Sequence, residues 1–260
     1  GMTLVMLSGG IDLSVGWFVS FVGCAMAYLM VGGLSIPVVV ILGIFITILC
    51  SGVMGFIISR TKLEPFIVSL GFMIVYQGFT YLITKGSEIS IGDTFKLLGR
   101  TFPLGIGMPV YVFISLAIFL GLMLKYTKFG RRIYAIGGNA MASRLSGINI
   151  KKITLFVFMI NGLMAAIAGI YLTARLDSAS VNAGTNGELD AIAACVIGGA
   201  SLMGGIGTVT GAIIGAVVMA SIDNGMSLLN APYFMQTIVK GLVLILAVWF
   251  DMSRKASEKR

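Results

Sequence analysis

Six stretches of this chain, Val15–Val31, Pro37–Ile58, Phe66–Ile83, Pro109–Leu124, Ile153–Leu172 and Ile238–Met252, are long and apolar enough to approach the about twenty helical residues that cross a bilayer. Lipid offers no hydrogen bonds, so each such run must satisfy its backbone internally, as a helix does. Composition agrees. With 58% hydrophobic and 11% charged residues and a mean hydropathy of +1.03, the chain has too little polar surface to cover a water-soluble globule. The expected fold is therefore an all-α polytopic bundle, a single transmembrane domain over residues 1–260. A seventh apolar region, Leu189–Ile222, is interrupted at Gly198-Gly199 and at Gly204-Gly205-Ile206-Gly207. Its halves look short for full crossings and predict either two crossings or broken, re-entrant segments.

Basic residues orient the bundle. Lys125, Lys128, Arg131, Arg132, Arg144, Lys151 and Lys152 fall in one loop with no acidic residue among them, the bias that keeps a loop on the cytoplasmic side. Alternation then puts Arg60, Lys62 and the tail at 253–260 on the same side. Thirteen of the eighteen basic residues share that face. The opposite face carries Glu88, Asp93, Asp177, Glu188 and Asp190, in the loops Lys85–Met108 and Ala174–Asp190. The net charge of +8 thus belongs to loops that meet anionic headgroups and gives no reason to invoke nucleic acid.

Several chemistries are excluded. The chain has no histidine, and Cys24, Cys50 and Cys195 lie far apart in apolar sequence, so histidine metal sites, histidine catalysis and a disulfide framework are ruled out. No GxxxxGK[ST] loop is present to cradle phosphate. The chain therefore cannot hydrolyse ATP by the usual route, and no cofactor is expected on it.

The basic loop, about residues 125–152, contains a motif of its own. In FGRRIYAIGGNAMASRLSGINIKK, Asn139 can cap a short helix that Gly147 ends in a left-handed conformation. Such a helix sets Met141 and Leu145 four residues apart on one side, an apolar knob for a soluble partner.

Four segments taken together carry a resemblance. GGIDLSVG (Gly9–Gly16), FGRRIYAIGGN through RLSGIN (Phe129–Asn149), ELDAIAACVIGG with SLMGGIGTVTGAIIGA (Glu188–Ala216), and MASIDNGMS through IVKGLVLILAVWFD (Met219–Asp251) resemble, nearly end to end, the membrane-spanning permease subunit of bacterial ATP-binding-cassette importers for simple sugars. Within that group, FGRRIYAIGGN, INGLMAAIAG (Ile160–Gly169) and SIDNGMS look most like xylose permeases. Family members carry further apolar segments before GGIDLSVG, so the resemblance implies an N-terminally truncated chain. It also implies a multi-pass protein of the bacterial inner membrane, a permease homodimer, a separate ATPase subunit, and a periplasmic or surface sugar-binding protein. The capped helix corresponds to the family's coupling element, with Arg131, Arg132, Asn139, Met141, Arg144, Leu145 and Gly147 as contact candidates.

Candidate translocation and gating residues are Asp12, Ser14, Glu188, Asp190, Gly204, Gly205, Gly207, Asp223 and Asn224. Asp12, at a membrane boundary, reads as a gate or an inner-face contact with the ATPase, or as the N-cap of the first span. Glu188 and Asp190 read as contacts for the binding protein or the sugar, or as a dipole-favoured helix start; Asp223 and Asn224 carry the same ambiguity. Gly207, Gly211 and Gly215 are spaced for tight helix packing, whereas the cluster Gly204-Gly205-Ile206-Gly207 reads as a chain reversal where a hinge or gate could lie. Asn161 is expected to hydrogen-bond between helices, and Lys240 to snorkel to the interface. The alternative of another class is a stand-alone ion-coupled secondary transporter. It would need ionisable residues deep in the spans, whereas the acidic residues here read as lying at span ends.

Overall fold

The computed structural model describes residues 1–91, 105 and 107–258, with side chains through residue 253. Among these residues lie helices α1 (Met2–Leu7), α2 (Val15–Val31), α3 (Ile36–Arg60), α4 (Pro65–Thr84), α5 (Met108–Tyr126), α6 (Lys128–Gly138), α7 (Ala140–Leu145), α8 (Ile150–Leu176), α9 (Gly187–Ile197), α10 (Val209–Leu228) and α11 (Tyr233–Glu258). Strands β1 (Ile89–Ser90) and β2 (Ser178–Ala179) pair antiparallel, Ile89 opposite Ala179. Asp93 and the side chains of the basic tail lie outside the described residues.

Among the described residues, six helices are long and apolar enough to cross a bilayer: α3, α4, α5, α8, α10 and residues 233–253 of α11. Two expectations change here. The second half of the glycine-rich region is a full 20-residue helix, α10, in which Gly211 and Gly215 lie on a packing face and do not interrupt the ladder. The first half, α9, has 11 residues, and α2 is a shorter apolar helix of 17.

The chain forms two compact units. The first, residues 12–119 and 149–188, is built around α2. Trp17, Phe18, Phe21, Val22 and Met26 of α2 are buried, with Tyr76 of α4 among them. The rings of Phe21 and Tyr76 stack with centroids 5.8 Å apart. Glycines set the spacing of the helices. A Cβ on Gly169 of α8 would strike the Val19 carbonyl, and one on Gly162 would strike Ser51 of α3, so close backbone approach replaces the missing hydrophobic drive between helices in lipid. Around this interior α3 and α4 turn a continuous set of apolar side chains outward, as a lipid-facing surface requires.

This unit also tests the alternation of faces. The C-terminal end of α3 and the N-terminal start of α8 line one cleft through Arg60 and Asn149, so the loop after α3 and the end of the basic loop share a side. The β1–β2 pairing joins the two loops assigned to the other side.

The second unit comprises residues 2–11, 120–148 and 189–260. Ala193 and Ala194 of α9 and Met219 of α10 form its small core, joined by Val243 and Leu244 of α11. Gly198 and Gly211, and likewise Gly215 and the Ala194 carbonyl, approach too closely for a Cβ on either glycine. The spacing of Gly211 and Gly215 is thus explained by helix packing.

Ser146 is exposed at the end of α7. A Ser146→Cys variant lacking the native Cys24, Cys50 and Cys195 should react with a membrane-impermeant thiol reagent in inside-out vesicles and not in intact cells. Labelling of intact cells would reverse the orientation.

Candidate translocation and coupling sites

In the first unit the polar interior centres on Asp12, which is 1% exposed. Its Oδ1 accepts from the Ser14 backbone N–H at 2.9 Å and the Ser14 hydroxyl at 2.6 Å; Oδ2 accepts from Asn161 Nδ2 of α8 at 2.7 Å. These three donors offset the desolvation of the buried carboxyl group. Neighbouring contacts reach the other helices: the Leu13 N–H donates to Ser69 Oγ of α4, and Ser14 Oγ lies 3.4 Å from Met54 Sδ of α3.

This geometry corrects the reading of Asp12. Helix α2 starts at Val15 with Ser14 as its cap residue, so Asp12 is not the N-cap. Nor does it lie at the membrane boundary. Asn161 is eleven residues into α8, about 16 Å along the helix, so the carboxylate sits at the depth of the spans. Its burial leaves no inner-face surface for an ATPase to touch. Close by in the same unit, the Tyr76 hydroxyl is buried with no hydrogen-bond partner among the described residues.

Glu188 is also buried, with Gly16 making room beside its carboxylate. It opens α9 as a helix-start acid would, but it is not a surface contact for an external protein. Asp190, two residues further along α9, has a partner on another helix. Lys240 of α11 lies 3.0 Å from Asp190 and 2.9 Å from Asp223 of α10. Lys240 therefore ties three helices together and does not snorkel. Asp223 and Asn224 lie within α10, not past its end.

The glycine cluster makes a tight reversal. Gly204, Gly205 and Gly207 have φ of 88°, 74° and 143°, a region that other residues rarely adopt, and Ser201 N–H bonds to the Ile206 carbonyl at 2.9 Å. The reversal rests on two other segments of its unit. Gly205 N–H donates to the Leu7 carbonyl of α1 at 3.0 Å, and Tyr134 of α6 donates its hydroxyl to the Gly207 carbonyl at 2.8 Å. Burial raises the Tyr134 pKa above the ordinary phenol value, so the donor stays protonated. Gly137 of α6 lies where a Cβ would overlap the Leu7 carbonyl and the Gly205 nitrogen.

Sequence reasoning missed α6 and Tyr134. The signal was present: Thr127 accepts from the Gly130 N–H as an N-cap, and the buried Ile133 and Ile136 repeat at helical spacing. Arg131 and Arg132 point outward from this helix. The next helix follows at once. Asn139 ends α6 and caps α7 by accepting from Ala142 N–H at 2.9 Å, and Gly147 turns the chain with φ 80°. Met141 is 67% and Leu145 82% exposed, beside the exposed Arg144.

The glycine reversal, the paired surface helices and the apolar spans all fall within one relationship. A family described as "Branched-chain amino acid transport system / permease component" matches residues 1–248. The chain belongs to this permease family. The ribose import permease of Bacillus subtilis is 40% identical over 259 residues, covering 98% of this chain and 80% of the relative. That of Haemophilus influenzae is 41% identical over 256 residues, covering 96% and 79%. The xylose transport system permease of Escherichia coli is 38% identical over 318 aligned positions, covering 98% and 81%. No solved structure matches. The chain is thus a permease subunit of the bacterial ATP-binding-cassette importers, a transport component and not an enzyme, and a multi-pass inner-membrane protein.

Two paired substitutions test these sites. Gly137→Ala should lower stability by about 1–3 kcal/mol, as overpacking does, while Gly138→Ala, with open space around its Cβ position, should leave the melting temperature unchanged. Asn161→Leu should destabilise by about 0.6–2 kcal/mol, the range of interhelical hydrogen bonds in membranes. Tyr76→Phe should be neutral or stabilising, since it removes a hydroxyl with nothing to bond. Thermal unfolding in detergent reads all four.

Proposed function

We propose that this permease is the translocation subunit of an ATP-driven importer for a simple sugar of the pentose class. The near full-length relationship to ribose and xylose permeases carries that reading. Xylose is favoured by the likeness of Phe129–Asn139, Ile160–Gly169 and the SIDNGMS segment to xylose permeases. ATP and Mg are bound by a partner ATPase, a sugar-binding protein delivers substrate from outside, and two copies of the permease form the pathway.

The coupling role rests on α7. Its apolar knob, Met141 and Leu145, faces solvent with Arg144 beside it, the chemistry of a docking helix. Asn139 belongs to both α6 and α7, so a push on α7 reaches α6 without an intervening flexible linker. Tyr134 and Gly137 then pass it to the reversal at Gly204–Gly207 and to the Leu7 carbonyl. Movement of the reversal shifts the start of α10, whose far half carries Asp223 in the Lys240 ion pairs. Breaking and remaking those pairs is the step by which the helices α9, α10 and α11 change their spacing during transport.

Proteoliposomes containing the permease, its ATPase and its binding protein should accumulate labelled xylose or ribose only with enclosed ATP, and the preferred sugar names the substrate. Uptake that follows an ion gradient without ATP or partners would replace this reading with a secondary transporter. Replacing Arg144 and Leu145 together with aspartate should leave the permease inserted and abolish co-purification of the ATPase.

A further inference from the structure

Where α3 ends and α8 begins, Phe56, Ser59, Arg60, Asn149, Lys152 and Leu155, together with Lys151, line a cleft of about 300 Å³. Three cations from two helices face this one space. None forms an ion pair among the described residues. Glu64, the acid nearest in sequence, is not part of the lining and pairs with none of them. The Arg60 guanidinium instead lies 5.4 Å from the centroid of the Phe56 ring. The N-terminus of the 27-residue α8 opens at the same place, with Asn149 Oδ1 already accepting from Lys152 N–H and the amide of Lys151 left over. Three like charges and a positive helix end therefore converge where an anion would relieve their repulsion.

The surroundings choose the anion. Phe45, Leu49, Val53 and Phe56 are all exposed on α3, and their spacing of four, four and three residues puts them on one helical face that ends at Arg60. The stripe runs about 17 Å from the cleft toward the membrane interior. A soluble phosphate would make no use of it, and an ATPase beneath the membrane could not reach it. An amphiphile with an anionic head and an acyl chain matches both parts.

We propose that this cleft is a binding site for an anionic glycerophospholipid of the cytoplasmic leaflet. Its phosphodiester is held by Arg60, Lys151 and Lys152, and an acyl chain lies along Phe45–Phe56. Basic pockets between spanning helices on this side recognise such headgroups. The site anchors the α3 and α8 ends against each other through a shared ligand, independently of which solute is carried.

Native mass spectrometry of the full chain from mixed micelles tests it, with phosphatidylglycerol and phosphatidylcholine at equal concentration. The wild-type chain should retain phosphatidylglycerol preferentially. Replacing Arg60, Lys151 and Lys152 with glutamine should cut that preference about fivefold per charge removed. Lys151→Arg with Lys152→Arg should keep it, which separates lost charge from misfolding. Undiminished preference in the triple glutamine variant would overturn the proposal. So would displacement of the lipid by glycerol phosphate at the same concentration, which would make this a soluble phosphate site. Loss of ATPase co-purification with lipid retention intact would show the cleft to be a partner contact, and would equally overturn it.

Discussion

Buried backbone that leaves a helix has to find hydrogen-bond partners within the protein, because an unpaired polar group away from water is costly. In the second unit that constraint falls on residues 198–207, between α9 and α10. The reversal meets it by giving its polar groups to specific partners: Ser201 to Ile206, Gly205 to the Leu7 carbonyl, and the Gly207 carbonyl to Tyr134. The Gly205–Leu7 bond demands a backbone approach that a side chain at 137 would prevent. Glycine at 137, 204 and 205 is what allows α1, α6 and the reversal to meet at all.

The same arrangement ties the reversal to α6, through the Tyr134 hydroxyl and the close approach at Gly137. Helix α6 in turn runs directly into α7 through Asn139, which ends one and caps the other. In the first unit, burial of Asp12 has a comparable role. A carboxylate satisfied by Ser14 and Asn161 pins the entry of α2 to α8 at the depth of the spans, where an unpaired charge would be prohibitive.

Much of this was legible beforehand, for identifiable reasons. Bilayer thickness is a length requirement, so apolar runs reported their own helices: α2 spans Val15–Val31, as its run does, and α8 is extended only to its caps. Local hydrogen bonding is also a sequence property, and Asn139 caps α7 while Gly147 leaves it in the left-handed region. The misplacements concern groups whose partners are distant. In sequence Lys240 reads as a lone snorkelling cation, yet two acids more than fifteen residues away claim it. Asp12 reads as a boundary residue because it precedes a span, although its partner Asn161 is 149 residues further on. Helix α6 is hard to see because glycine and arginine mask the pair Ile133 and Ile136.

From the sequence alone came the solvent, the fold class and the family, because these depend on composition, on periodicity and on motifs contiguous in the chain. The tertiary structure decided which polar groups are buried, what satisfies them and which glycines are contacts. Those outcomes depend on backbone segments approaching to within hydrogen-bond distance. A linear sequence records which residues permit such an approach, and only packing determines which segments make it.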